Sequence, residues 1–330
     1  MEEGRLSRDE AKECLQSFFL MLQAKTPYND HRHTKGAECH FAIGGLLPDG
    51  RDGFTDLSRL IAEAIVEMPM DIPEISLRWN AGTPREVLRF MLDLERKDTR
   101  KRIAFVNDEP RIKSFMEKAG MSFADACNYT MVGCNEPAFQ GSIWMGGNTV
   151  NIVRCLTNLL YGEKEKVCAS DSFDGFYALF EESLERDLNA AMKVADAFTR
   201  MRNKDENVIS SLLMDGCIQS AVPANRGGCR LKIGGENLMG IVCLIDSLTV
   251  IRQFVFEEKK ISMADLIANL ESNWTKDPDM RTLILKTARF FGNNDALSDE
   301  LSVRFTDSLY KLTKDKTLYN GEIIFYGTLA

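Results

Sequence analysis

The stretch Asn128-Tyr-Thr-Met-Val-Gly-Cys-Asn-Glu-Pro137 carries the strongest structural and chemical signal in the sequence. Its first half predicts a strand from Tyr129 to Gly133, because aromatic and β-branched residues lead into a glycine. Residues two apart in an extended chain project to the same side, so we expect the Cys134 thiol and the Glu136 carboxylate to face one cavity. Most cysteines are inert core residues, so Cys134 is either a core residue or a reactive thiol. The surrounding sequence has to decide between these two interpretations.

Strands and helices alternate on both sides of this stretch. The most clearly marked helix runs from Pro84 to about Arg96, because Thr83 is a predicted N-cap, Pro84 occupies the first helical position and Glu86 completes a capping box. Strands are predicted at 75–80, 102–107, 129–133, 229–233 and 321–330. Further helices are predicted at 9–23, 56–68, 110–118, 149–161, 173–201, 238–256, 263–274, 280–291 and 297–312. Repeated strand–helix units predict an α/β fold, a mostly parallel sheet or barrel covered by helices.

Three segments add detail to this alternation of strands and helices. Residues 134–147 are predicted to form a loop, and loops after strands carry the chemistry in such folds. Gly234-Gly235 lacks the spacing of a dinucleotide loop, so a tight turn entering a helix is the preferred interpretation. The strand at 321–330 ends the chain without the helix that should cover it.

Composition and charge exclude several classes of function. The 330 residues hold 41 Lys and Arg against 49 Asp and Glu, a formal charge of −8, and contain no basic run suited to nucleic acid. No signal peptide is visible, and Asp246 interrupts the longest apolar stretch, so we expect neither secretion nor a membrane span. The nine cysteines form no C-x-x-C pair and predict reduced thiols in a cytoplasmic protein.

Other candidate site residues carry weaker signals. His31, His33, Cys39 and His40 lie close together, but their spacing fits no zinc finger or ribbon, so we predict no metal and retain His40 as a substrate contact. Asp108-Glu109 ends a strand, and a solvated turn capping the next helix is favoured over a catalytic role.

Trp144 and Asn148, which follow the Cys134 stretch in the sequence, are candidates for the substrate pocket. Trp144 is predicted to shape the pocket wall. Asn148 is predicted to contact the substrate, although a role as a helix N-cap explains it equally well.

The stretch around Cys134 resembles the active-site loop of the glycyl radical enzymes, the family of pyruvate formate-lyase, glycerol dehydratase, choline trimethylamine-lyase and aryl decarboxylases. Many members carry a Gly-Cys-x-Glu-Pro loop. Further family landmarks occur in the family's order at Ile75-Ser-Leu-Arg-Trp-Asn80 with Thr83-Pro84, Phe105-Val-Asn-Asp-Glu109, Gly227-Gly228, Asp246-Ser247, Phe256-Glu-Glu-Lys-Lys-Ile261 and Phe291-Gly-Asn-Asn-Asp295. The resemblance implies that the chain is a portion of the family's α/β barrel.

Members of the family are much longer and store a radical on a glycine in a C-terminal Arg-Val-x-Gly-Tyr-like motif, which this sequence lacks. We therefore expect residues 1–330 to be one barrel domain, incomplete at both ends and without the glycyl radical domain. The resemblance implies that the chain binds no cofactor itself, that the radical resides on the missing segment, and that an activating enzyme with S-adenosylmethionine and an iron–sulfur cluster installs it. A small-molecule substrate and a possible homodimer are implied as well.

By resemblance, Cys134 forms the thiyl radical that abstracts hydrogen from the substrate, and Glu136 removes the proton of a substrate hydroxyl. Pyruvate formate-lyase uses two adjacent cysteines where this chain has Cys134 and Asn135, so the dehydratase and decarboxylase branches are favoured over acyl transfer. The substrate and the leaving group stay open. The alternative is a catalytically incompetent remnant, or a subunit that needs a separate glycyl radical chain.

Overall fold

The computed structural model describes residues 4–25, 40–70, 73–132, 136–142, 144–202, 204 and 208–329, with the backbone alone at 25, 144–148 and 328–329. The chain divides into two compact units. The first comprises Met1–Trp144, Ile209–Ala224 and Cys229–Leu231, and the second comprises Met145–Val208, Asn225–Gly228 and Lys232–Ala330.

The first unit begins with the alternation of helices and strands that the sequence predicts. Its helices are α1 (Arg8–Lys25), α2 (Asp56–Val66), α3 (Arg85–Lys97), α4 (Asp108–Ala119) and α5 (Phe123–Cys127). Its strands are β1 (His40–Gly44), β2 (Glu74–Trp79), β3 (Ile103–Asn107), β4 (Tyr129–Val132) and β5 (Glu136–Phe139). Strands β1, β2 and β3 form a parallel sheet in that order, as expected from strand–helix units, whereas β4 and β5 form an antiparallel pair.

Local sequence explains why these elements begin and end where they do. Thr55 and Ser58 form a capping box at the start of α2. Asn107 caps α4 by accepting a hydrogen bond from the Glu109 N–H, and Gly120 ends the helix with a φ of 62°. Between the sheet and its helices lies an apolar core that includes Phe19, Ile65, Ile75, Leu77 and Met91, all at most 1% exposed.

The rest of the chain is mostly helical. Its helices are α6 (Ile152–Gly162), α7 (Lys164–Cys168), α8 (Phe173–Arg202), α9 (Val208–Leu212), α10 (Cys217–Ser220), α11 (Ile241–Val250), α12 (Met263–Glu271), α13 (Pro278–Thr287) and α14 (Ala296–Thr313), with a π-helical turn at Ile251–Glu257 and a 3-10 turn at Ala224–Arg226. Its strands are β6 (Trp144–Asn151), β7 (Ile233–Met239) and β8 (Ile323–Leu329), which pair in the order β6-β7-β8.

The core of the second unit is built on α8. Its fully buried side chains Phe176, Tyr177, Phe180, Leu184 and Leu188 follow the three-to-four-residue spacing of one helix face. They pack in one cluster with apolar residues of α6, α11, α12 and α14. The terminal strand that the sequence predicts is confirmed, because β8 pairs in parallel with β7 from Ile233↔Ile323 onward.

The segment 134–147, predicted as a loop, contains β5 and the first residues of β6. The following helix therefore begins at Ile152 instead of Thr149. Asn151, and not Asn148, is its N-cap, because the Asn151 side chain accepts a hydrogen bond from the Arg154 N–H. The prediction failed here because pairing with a distant strand extends the chain past the polar residues that resemble a cap.

Two further predictions are wrong. Gly234 and Gly235 lie inside β7 instead of forming a tight turn, and the strand begins at Ile233 instead of Cys229. The turn lies at Gly240, whose φ is 88° and where a Cβ would come within 2.7 Å of the Val153 side chain.

The predicted capping box of α3 does not form. Pro84 is the N-cap residue and makes no side-chain capping hydrogen bond. The Thr83 hydroxyl instead donates to Asp52 Oδ2 at 2.5 Å. The helix itself is confirmed within one residue of its predicted ends. In the part of the chain that the structure describes, no helix combines the length and apolarity needed to cross a membrane.

Candidate active site on the β4–β5 hairpin

Strands β4 and β5 form a hairpin with two unlike faces. Tyr129↔Phe139 and Met131↔Pro137 pair on one face, which is buried. Val132↔Glu136 pair on the other face, where Val132 is 37% exposed. The alternation of a strand thus separates an anchoring face from a more open face that carries Glu136. Residues 133–135, which include Cys134, join the two strands and lie outside the described residues.

Glu136 is the first residue of β5 and is half-buried. Its Oε2 atom is shielded from solvent and has no hydrogen-bond partner among the described residues. A buried carboxylate oxygen without a donor is costly in free energy unless another group supplies a proton or a hydrogen bond. The position therefore suits a carboxylate that receives a proton from a bound molecule.

A buried ion pair lies beneath the anchoring face. Arg78, at the carboxyl end of β2, donates from Nε and Nη2 to the two carboxylate oxygens of Asp108, each at 2.9 Å. Asp108 is fully buried at the end of β3 and also accepts the Leu46 N–H at 2.6 Å. Gly45 makes room for the pair, because a Cβ at that position would lie 2.8 Å from the guanidinium. The bidentate geometry holds the carboxyl ends of three strands together.

The same pair holds the base of the hairpin. Arg78 Nη1 donates to the Tyr129 carbonyl oxygen at 2.9 Å, and its guanidinium lies 3.9 Å from the centre of the Tyr129 ring. The Tyr129 hydroxyl donates to Asp108 Oδ1 at 2.5 Å. Phe115 of α4 packs edge-on against both Tyr129 and Phe139, at 5.4 and 5.0 Å between ring centres. The backbone carbonyl, the hydroxyl and the aromatic ring of Tyr129 are therefore all held in place.

Burial and the ion pair set the protonation of this network. Burial is the largest single influence and lowers the pKa of Arg78, but the hydrogen bond to Asp108 and the contributions of Tyr129 and the Asp108 charge together outweigh it, so the net pKa is raised. Burial, followed by the nearby Asp108 charge, raises the pKa of Tyr129. Both groups accordingly stay protonated at neutral pH, so the donors that hold the hairpin persist.

Arg111, on α4, brings a second positive charge to the hairpin. It donates from Nη1 to the Met131 sulfur at 3.2 Å, on the anchoring face. Burial lowers the pKa of Arg111, and the charges of Asp108 and Glu136 are among the groups that oppose this shift. Glu136 is therefore within electrostatic reach of a partly desolvated guanidinium.

The predicted site residues lie in different places. Glu136 belongs to the hairpin, whereas His40 begins β1 at the opposite end of the parallel sheet, where its Nε2 is 2.7 Å from Ser76 Oγ and its Nδ1 is 3.9 Å from Glu74. His40 is thus a sheet residue with a nearly buried side chain, at the end of the sheet away from Arg78, and its substrate contact stays a prediction. Trp144 and Asn148 lie on β6, whose backbone alone is described at these positions, and their substrate contacts stay predictions.

The candidate metal ligands lie on the segment that leads into β1. His31, His33 and Cys39 lie outside the described residues. Within the described ranges, no group of three or more His, Cys, Asp or Glu side chains is arranged to hold a metal ion.

Sequence reasoning missed the residues that hold the hairpin. Asp108 was predicted to lie in a solvated turn, and this is wrong, because it is fully buried against Arg78. The available signal was an arginine between the apolar residues Leu77 and Trp79 of β2, since a charge is buried in a sheet only with a partner. Tyr129 carried no comparable signal.

Comparison with known proteins identifies the family of the chain. The sequence profile of the family described as Pyruvate formate lyase-like matches residues 1–330. Isethionate sulfite-lyase of Nitratidesulfovibrio vulgaris is 27% identical over 92% of this chain and 39% of its own length. The chain therefore spans about two fifths of that relative.

Solved structures share the fold. Hydroxyproline dehydratase from Clostridioides difficile superimposes with a TM-score of 0.80 at 23% identity, over 99% of this chain and 44% of the other. A glycyl radical enzyme from Archaeoglobus fulgidus gives 0.78 at 19% identity, with the same coverage of 99% and 44%. The predicted fold class is confirmed, and the chain belongs to the pyruvate formate lyase-like family of glycyl radical enzymes.

Proposed function

We propose that this chain carries the cysteine and the base of a glycyl radical lyase that eliminates a leaving group from a small hydroxylated substrate. The observation that carries the proposal is the hairpin, which joins β4 to β5 through Gly133-Cys134-Asn135 and places Glu136, with a buried Oε2, beside that connection. Relatives named as a sulfite-lyase and a dehydratase support an elimination.

The radical has to be supplied to the chain. The Cys134 thiol would give its hydrogen atom to the family's glycine radical and would become a thiyl radical. The resulting Cys134 thiyl abstracts a hydrogen atom from the hydroxyl-bearing carbon of the substrate. The hydrogen atom held by Cys134 returns at the end of the cycle to the product radical, so that the thiyl is regenerated and no net oxidation or reduction of the protein occurs.

Glu136 supplies the proton transfer between these two hydrogen transfers. Its Oε2 accepts the hydroxyl proton of the substrate radical. The ketyl radical anion that results expels the leaving group with its bonding electron pair from the adjacent carbon. Arg111 brings a partly desolvated positive charge within electrostatic reach of Glu136.

The contacts of Arg78, Asp108 and Tyr129, the hairpin anchor, restrict the movement of the hairpin during these steps. Hydrogen transfer needs the sulfur and the substrate carbon in near contact, and displacements of about 1 Å can cost about a hundredfold in rate. The ion pair of Arg78 and Asp108 fixes both the Tyr129 backbone and the Tyr129 side chain, five residues before Cys134. We propose that Arg78, Asp108 and Tyr129 are positioning residues.

Activation requires a partner. By the family resemblance we propose an activating enzyme with S-adenosylmethionine and an iron–sulfur cluster. The Arg-Val-x-Gly-Tyr-like motif does not occur in these 330 residues, so the radical has to come from a further segment or from a separate chain.

The test uses the complete activated enzyme, or this chain together with a glycine-radical chain, under anaerobic conditions. Cys134→Ser should abolish turnover, because an O–H bond is too strong for the hydrogen relay. Cys243→Ser is the matched control, since Cys243 is an exposed free thiol and should not affect turnover. Residual turnover of Cys134→Ser above a few per cent would overturn the assignment of Cys134.

Glu136→Gln separates the role of the base from that of the thiyl. We expect loss of elimination with retained exchange of deuterium from solvent into the substrate, because the thiyl still abstracts hydrogen while the hydroxyl proton has no acceptor. Unchanged elimination would remove Glu136 as the base and would leave the role of Cys134 intact.

A further inference from the structure

Two buried cysteines outside the hairpin face each other. The sulfur atoms of Cys217, at the start of α10, and Cys229 are 3.9 Å apart, and both thiols are free. Their residues are 4% and 5% exposed and pack with Ala224 and Met214 in a small apolar cluster. Both belong to the first unit, and neither has a part in the chemistry proposed for Cys134.

The backbone beside each of these cysteines holds the turn that follows β5. The Asp215 N–H donates to the Gly141 carbonyl oxygen at 2.9 Å, and the Arg230 N–H donates to the Asp215 carbonyl oxygen at 2.7 Å. The Ser142 hydroxyl donates to the Leu231 carbonyl oxygen at 2.8 Å. The two ends of the segment 215–231, which contains the cysteines, are therefore hydrogen-bonded to each other and to the turn after β5.

We propose that Cys217 and Cys229 are a redox modification site, in which a low-molecular-weight disulfide oxidises the pair to an intramolecular disulfide. The thiolate of one cysteine attacks the small disulfide and releases one small thiol, forming a mixed disulfide. The second cysteine then attacks the mixed disulfide and releases the second small thiol. Two S–H bonds of the protein are lost, one S–S bond is formed, and the small disulfide is reduced by two electrons.

The local backbone allows the small movement that the bond needs. A disulfide has a sulfur separation of about 2.05 Å, so the two atoms must approach by roughly 2 Å. Cys217 lies in a four-residue helix whose flanking residues Gly216 and Ala221 have φ values of 93° and 53°, and no long helix or strand has to shift with it. Because the two cysteines already share one apolar site, closure buries no new polar group.

Burial of the two thiols makes their oxidation slow, so the disulfide forms only during prolonged exposure to the small disulfide. Burial, with a smaller contribution from Cys229, raises the pKa of Cys217 to about 11, so little thiolate is present at neutral pH. A disulfide across this segment restricts the backbone that supports the turn after β5. Its effect on turnover rests on the proposed function, whereas formation of the bond does not.

Peptide mapping of the full chain tests the proposal without any activity assay. The chain is incubated anaerobically with oxidised glutathione, denatured, alkylated and digested with trypsin. Cleavage after Arg226 separates the two cysteines, so the disulfide links peptide 205–226 to peptide 227–230. We expect this linked species, lighter than the sum of its peptides by two hydrogen atoms, to be converted back to separate alkylated peptides by dithiothreitol.

Cys155 is the matched control, because it is also buried and free but lies in the second unit. We expect Cys155 to stay fully alkylated while alkylation of Cys217 and Cys229 falls together by about tenfold. Cys229→Ala should leave Cys217 alkylated or linked only to glutathione. Stable glutathione adducts on the unaltered pair, or equal oxidation of Cys155, would overturn the proposal.

Discussion

Two buried arginine–aspartate pairs lie at opposite ends of the β1-β2-β3 sheet, and they are connected to different parts of the chain. Arg102 and Asp98 are four residues apart just before β3, and Asp98 also accepts the N–H groups of Arg100 and Arg102. Arg78 and Asp108 are thirty residues apart and contact Tyr129 and the loop after β1. The first pair closes one local turn, whereas the second joins strands and the hairpin.

The two pairs should contribute equally to the stability of the fold, but only the Arg78–Asp108 pair should also position the hairpin. Both pairs are bidentate and almost fully buried, so either one should be costly to break. The Arg78–Asp108 pair lies at the carboxyl end of the parallel strands, where α/β folds place their active sites. We therefore expect equal effects on folding and unequal effects on turnover.

The largest expected effect comes from Asp108→Asn, with Asp98→Asn as its matched control. Each substitution leaves a buried guanidinium without its counter-ion and should lower the free energy of unfolding by about 3–5 kcal/mol in urea titrations. Turnover per folded molecule of the complete activated enzyme should fall about a hundredfold for Asp108→Asn alone. Equal turnover of the two variants would remove the distinction between the pairs.

The double variant Arg78→Met with Asp108→Leu sharpens the comparison. Apolar residues of similar volume should restore about 1–4 kcal/mol of the unfolding free energy lost in Asp108→Asn, since no unpaired charge is buried. Turnover should stay low, because the Tyr129 carbonyl loses the donor that positions the hairpin. Recovery of turnover together with stability would show that the pair acts through stability only.

Tyr129→Phe removes one contact of the anchor and keeps the ring. The hydroxyl donates to the Asp108 carboxylate, and a hydrogen bond to a charged group contributes about 1.5–3 kcal/mol. Tyr177→Phe is the control, because that hydroxyl pairs at 3.2 Å with the neutral Ser308 and should contribute about 0.5–1.5 kcal/mol. Chemical denaturation measures both values, and a smaller loss for Tyr129→Phe would contradict the role given to the anchor.

The smallest expected effect is a pH dependence at the local pair. Burial raises the pKa of Asp98, but the hydrogen bonds from Arg102 and from the backbone outweigh it, so the net pKa is lowered. A pKa that is lower in the folded than in the unfolded chain stabilises the fold above the ordinary Asp pKa of about 3.9, and this stabilisation is lost as pH falls through the folded value.

Unfolding free energies of the wild type and Asp98→Asn, measured from neutral pH down to about 2, check this sign. The difference between the two proteins should be constant at neutral pH and should shrink as the pH falls below about 4. A difference that grows on acidification would contradict a lowered Asp98 pKa.

Local sequence predicted much of the architecture. The stretch Thr83-Pro84-Arg85-Glu86 located α3 within one residue, although its capping box does not form, and the alternation of elements predicted a mostly parallel sheet, which β1, β2 and β3 form. The Gly133-Cys134-x-Glu136-Pro137 string indicated the family. These features depend on neighbouring residues, whose spacing and chemistry can be read along the chain.

Pairing between distant segments accounts for the predictions that failed. Gly234 and Gly235 have the composition of a turn, yet they lie in a strand because β8, at the other end of the sequence, pairs with them. Residues 144–147 were predicted as loop and 149–151 as the start of a helix, yet both lie in β6, which neighbours β7 in the sheet. Residues 136–139 were also predicted as loop and form β5 by pairing with the neighbouring strand β4. Strand formation is decided more by cross-strand partners than by intrinsic preference.

The sequence by itself determined the family, most of the long helices, and Cys134 and Glu136 as the candidate reactive pair. The tertiary structure alone decided which polar groups are buried together: Arg78 with Asp108 and Tyr129 beneath the hairpin, and Cys217 with Cys229 beside it. A charge or a thiol in a sequence has no fixed environment, because its desolvation and its partners arise only when segments far apart in the chain are brought into contact.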